Sequence, residues 1–174
     1  APDTAANRSK VEYDNHVSDG AMRTLFITKR LYDADGKTLL VYPETETTFS
    51  FRLYLGDENA HADNLPLANM YPYYIRDAGK NYCRWDADSQ AFVSLPGVQT
   101  FEALEQYFTV NSWTDAQKES VIFKTSMNGS ISKIPAGYTV EVRNLVISTQ
   151  YKIEERDSEI PKGYPRRDAD GYPL

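Results

Sequence analysis

Few residues in this chain have the type and the spacing to do chemistry. The single cysteine, Cys83, rules out an internal disulfide and a thiolate metal cage. The two histidines, His16 and His61, lie far apart in polar surroundings, so no histidine metal centre is encoded and no cofactor is expected. Carboxylates cluster in DADG, DENAHAD and DADS, but none fits the twelve-position calcium loop; these read as solvated turns, with no metal site. Two ionisable residues stand out by phase. Lys29 alternates with Leu25 and Ile27, which puts its amine on their face of a strand. The opposite reading, an exposed lysine with Phe26 and Thr28 turned inward, is equally regular. Glu155 shares a face with Tyr151 and Ile153, whereas Glu154 points the other way; an exposed edge-strand glutamate is the plain alternative.

Such groups need a rigid frame. The chain has 174 residues, 41% of them hydrophobic, enough for one domain with a real core. Its net charge of −6 argues against a nucleic-acid partner, which requires a clustered positive surface. No apolar stretch is long enough to insert in a membrane. Thirteen tyrosines suit a β-rich fold. Residues 1–21 are polar and read as a linker or tail with one strand between Val11 and Val17. Residues 22–174 form the domain. Strands are expected at RTLFITKRLYD, at TTFSFRLYLG with Phe49, Phe51, Leu53 and Leu55 on one face, at Tyr71 to Ile75, and in a NYCRWD/QAFVSL hairpin. SVIFKTS should turn at MNGS into ISKI, followed by YTVEVRNL and YKIEER. Phe101, Leu104 and Phe108 give TFEALEQYF helical spacing with Thr100 as cap; a second short helix follows Ser112 or Thr114. The sum is a mainly β fold, an antiparallel β-sandwich with a short helical insertion at about 57–119.

Three pieces occur in a telling order: LFITKRL, then IPAGYTVEVRNLVISTQYKIEE, then IPKGY. This resembles the immunoglobulin-like B-type (Cna B-type) repeat domains of Gram-positive surface proteins and pilins. There an early strand carries a lysine, a later stretch reads G-x-x-Y-x-V-x-E, and P-x-G-Y follows; the matching residues here are Lys29, Tyr151, Ile153, Glu155, Pro161, Gly163 and Tyr164. TFSFRLYL matches the family's F-x-F-x-L strand. The resemblance covers about 24–56 and 120–165 and omits the insertion.

The resemblance implies an immunoglobulin-like sandwich and a self-catalysed isopeptide bond, with Lys29 as nucleophile and Glu155 as proton shuttle. It also implies an asparagine or aspartate acceptor on a last strand beyond P-x-G-Y. No asparagine follows Asn144, and the carboxylates there are Asp168 and Asp170, in a turn-like RRDADG. Asn15, in VEYDNHV, and Asp168 are the acceptor candidates, and the chain by itself is expected to lack the bond. The implied function is a structural stalk or adhesin domain, extracellular and anchored to the cell wall, not an enzyme beyond one turnover on itself. Its partners would be other domains of the same surface protein or pilus. The alternative is an adhesin module whose 57–119 insertion binds a host protein or glycan, marked by a pocket of Tyr71, Tyr73, Tyr82 and Trp85. A hydrolase on the same frame would need paired carboxylates facing a cleft, which alternation does not align.

Overall fold

A computed structural model describes residues 8–18, 22–32 and 48–156. Ten strands and two helices occur among them: β1 Arg8–Ser18, β2 Met22–Tyr32, β3 Thr48–Gly56, β4 Pro72–Arg76, β5 Cys83–Asp86, β6 Ala91–Ser94, α1 Phe101–Val110, α2 Asp115–Glu119, β7 Phe123–Lys124, β8 Ser130–Pro135, β9 Thr139–Val146 and β10 Gln150–Glu155. Every pairing is antiparallel. One sheet runs β1-β2-β9-β4-β7, a second β10-β3-β8, and β5-β6 stands as a hairpin.

Alternation explains the main core. Leu25 and Ile27 of β2, Phe49, Phe51 and Leu53 of β3, Ile131 and Ile134 of β8, and Val140 and Val142 of β9 belong to one buried cluster drawn from both larger sheets. Each such side chain contributes about 2 kcal/mol by leaving water. The helical region builds a second cluster of Tyr82, Leu95, Val98, Leu104 and Val121, with Phe101, Phe108 and Trp113 packed against it. Thr100 caps α1 by accepting from the Ala103 N–H, and Thr114 with Gln117 makes a capping box on α2. No helix among the described residues is long and apolar enough to cross a membrane.

Three features differ from the sequence reading. The segment before residue 22 contributes an eleven-residue strand, β1, paired along the whole of β2. β4, inside the 57–119 stretch, is a member of the main sheet between β9 and β7, so that stretch is not all outside the core. β7 and β8 are not a hairpin: β7 pairs with β4 and β8 with β3 in the other sheet. The turn between them is a corner. Ser126 Oγ accepts the N–H groups of Asn128 and Ser130, and the Gly129 carbonyl accepts from the Leu53 N–H at 2.8 Å. Gly129 has φ of +72°, and a Cβ there would lie 2.5 Å from the Leu53 carbonyl oxygen, so only glycine lets the chain swing against β3.

Candidate functional site: an amine–carboxylate pair in the core

β2 carries Lys29 inward in phase with Leu25 and Ile27, and only 4% of it is exposed. β10 lies opposite β3 with Glu155 against Phe51, so Glu155 faces the same interior. The Lys29 Nζ donates to Glu155 Oε2 at 2.7 Å. The two residues are in different sheets, and their side chains meet across the space between them. The Lys29 Nζ also stands 5.2 Å from the centre of the buried Phe49 ring, a cation–π contact. The Lys29 carbonyl accepts from the Gly137 N–H at 2.8 Å, which fixes the backbone where β9 begins.

Glu155 is less enclosed, with its side chain 25% exposed. Its second oxygen, Oε1, is nevertheless buried and has no hydrogen-bond partner among the described residues. Tyr13 of β1 sits edge-on to Tyr151 at 6.5 Å. Its hydroxyl pKa is raised by burial first, then by the Glu155 charge and by Tyr151, which places β1 beside the pair. The pair therefore has one short charge-assisted bond, an aromatic floor and one unfilled carboxylate oxygen.

The acceptor candidates fare differently. Val11 is the β1 residue opposite Lys29, and Asn15 is opposite Leu25. Four residues of strand, about 13 Å, separate Asn15 from the position opposite Lys29. The backbone register therefore sets Asn15 four positions along β1 from the residue opposite Lys29. Asp168 and Asp170 lie outside the described residues, as do Pro161, Gly163 and Tyr164.

A second ionic cluster escaped the sequence reading. Glu141 is fully buried on β9, on the face opposite Val140 and Val142. Arg76 donates to Glu141 Oε1 from Nε at 2.9 Å and contacts it from Nη2 at 2.7 Å. The Tyr82 hydroxyl donates to Oε2 at 2.5 Å, and Arg143 approaches the same oxygen at 3.6 Å. Arg76 further donates to the Tyr82 hydroxyl and to the Gln99 carbonyl, and stacks 4.2 Å over the Tyr82 ring. Burial, then the Glu141 charge and the bond to it, push the Tyr82 hydroxyl pKa far up. The cluster fastens the helical region to the main sheet.

Of the tyrosines expected to line one pocket, Tyr82 is consumed in this cluster and Tyr71 packs against the main core, whereas Tyr73 and Trp85 line a groove. Cys83 is buried beside the Asn81 carbonyl and Ser94. No group of three metal-ligating side chains occurs among the described residues. Comparison of the chain with protein-family models, curated proteins and solved structures finds no match.

Proposed function

We propose that this chain is a structural stalk or adhesin domain of a bacterial surface or pilus protein. It would be built on an immunoglobulin-like β-sandwich and belong to the class that forms self-catalysed isopeptide bonds. One observation carries the reading: the buried Lys29 amine lies 2.7 Å from Glu155 Oε2, and Glu155 Oε1 is buried and unbonded among the described residues. Proton transfer within the pair leaves a neutral amine and a protonated carboxyl. The amine nitrogen attacks the side-chain carbonyl carbon of an asparagine or aspartate that reaches Oε1. Glu155 delivers its proton to the leaving group and takes one back from the attacking nitrogen; the new C–N bond forms as the asparagine C–N or aspartate C–O bond breaks, and ammonia or water departs. Packing replaces an encounter with a unimolecular step. The closed loop then removes entropy from the unfolded chain, as a disulfide does, without responding to redox conditions.

Intact mass of the denatured chain tests the reading. The calculated mass is expected for the chain alone, because Asn15 lies far along β1 from Lys29. A deficit of about 17 Da identifies an asparagine acceptor and about 18 Da an aspartate such as Asp168. The chemistry itself is tested by offering the folded chain a library of short extended peptides bearing asparagine or aspartate. A covalent adduct that disappears in Lys29→Ala and Glu155→Ala supports the reading. The absence of both a mass deficit and an adduct sinks the isopeptide chemistry.

A further inference from the structure

The free ends of the two larger sheets meet at a groove of about 870 Å³, within the range of ligand sites. β7 ends one sheet and β8 the other, and the β5-β6 hairpin closes over the gap through Phe92, 5.6 Å from Phe123. Trp85 and Phe92, in edge contact at 5.1 Å, make an apolar wall. Tyr73, stacked on Phe123, extends it. The rim is polar. Glu119 at the end of α2 and Lys133 on β8 both line the groove, both are exposed, and neither forms an ion pair among the described residues.

β8 is bent to present that rim. Pairing steps from Phe49–Ile134 to Phe51–Ile131, so Ser132 and Lys133 stand opposite Ser50 alone. Lys133 takes φ of +57°, a left-handed conformation that a lysine rarely adopts. A bulge of this kind re-aims side chains, and here both bulged residues line the groove.

We propose that this groove binds a short oligosaccharide. Sugar ring faces stack on Trp85 and Phe92, and hydroxyls are held by Glu119 and Lys133. The alternative occupant, an extended peptide added to β8, lacks a continuous edge to pair with. The Ser130 N–H and carbonyl are already bonded to Ser126, Pro135 has no N–H, and the bulge breaks the spacing between them. One acid and one base on the rim suit hydroxyls, which both donate and accept, and suit neither a polyanion nor a polycation. The site lies apart from Lys29 and Glu155, and the inference stands without the isopeptide chemistry.

The test is a glycan array probed with the full chain, followed by titration of bound trisaccharides against Trp85 fluorescence. Trp113→Phe leaves Trp85 as the only indole. At least one oligosaccharide binds and shifts Trp85 emission, and Trp85→Leu weakens its binding about tenfold on the array, where no indole signal is needed. Glu119→Gln and Lys133→Gly each weaken it severalfold with an unchanged unfolding transition. Lys133→Gly guards against misfolding, since glycine accepts the backbone at that position. No bound glycan on the array overturns the proposal. So does glycan binding that is indifferent to all three substitutions, or binding displaced by peptides and not by sugars.

Discussion

Two glutamates are drawn into this protein's interior beside cations, and they are built to opposite ends. Glu141 is surrounded: Arg76 and Tyr82 bond it, Arg143 stands near, and water is fully excluded. Arginine does not give up its proton in a protein, so Arg76 bonds this carboxylate without being able to exchange a proton with it. Glu155 has one donor, Lys29, and an oxygen with no partner among the described residues. Lysine can give up a proton, and a quarter of the Glu155 side chain still meets solvent. A saturated cage fixes geometry, whereas Glu155 keeps one buried oxygen that no described residue bonds.

The largest effect is expected at the cage. Glu141→Ala strands two guanidinium groups and a tyrosine hydroxyl, and should cost about 3–5 kcal/mol. Denaturant unfolding reads the loss, and hydrogen exchange at Tyr82 to Leu104 should rise most, because the cage holds that region to β4 and β9. A cost below about 1 kcal/mol would dissolve the distinction between the two glutamates. Alkaline pH gives the next largest effect. Burial raises the Tyr73 hydroxyl pKa to about 12, and Tyr82 is pushed further in the same direction. The unfolded chain loses these protons from about pH 10 while the folded chain keeps them. Stability is therefore full below pH 10 and falls as pH rises toward 12, by about 2 kcal/mol for Tyr73. Tyr73→Phe should flatten that part of the decline, measured by denaturant midpoints at pH 9 to 12. A profile with equal slope in both proteins would remove Tyr73 from the account.

How far these differences could be read in the sequence depends on the range of the interaction. Period-two alternation is local, and it correctly separates Glu155 from Glu154, which points outward to Arg52 at 4.0 Å. Phe101, Leu104 and the Thr100 cap likewise announce α1. The same alternation assigns Glu141 to the face away from Val140 and Val142, which reads as wet. It is dry because Tyr82 and the helical region, from a distant part of the chain, cover the second face of β9. Strand order is equally non-local. Nothing in SVIFKTS or ISKI reveals that a glycine corner sends them to different sheets, or that Lys29 and Glu155 meet across the sheets rather than along one.

The smallest effect, and the sharpest comparison, belongs to the Lys29–Glu155 pair. Lys29→Met keeps the length and apolar stem of the side chain and removes the charge. It leaves Glu155 without its donor, but that carboxylate is partly exposed and can hydrate. Methionine also packs on Phe49 at least as well as the lysine stem. The expected change is within about 1 kcal/mol in either direction, since the carboxylate left behind meets solvent and an ion pair with a partly exposed partner contributes little. Glu155→Gln should behave similarly at neutral pH. The double variant closes a cycle whose coupling should be about 1 kcal/mol or less. Measured against Glu141→Ala in the same denaturant, a gap of severalfold is what the proposed chemistry requires: the Lys29–Glu155 pair would then not be what holds the fold. A coupling of about 3 kcal/mol would mean that Lys29 and Glu155 are a structural cage as well, and would remove the physical ground for treating them as an amine and its proton shuttle.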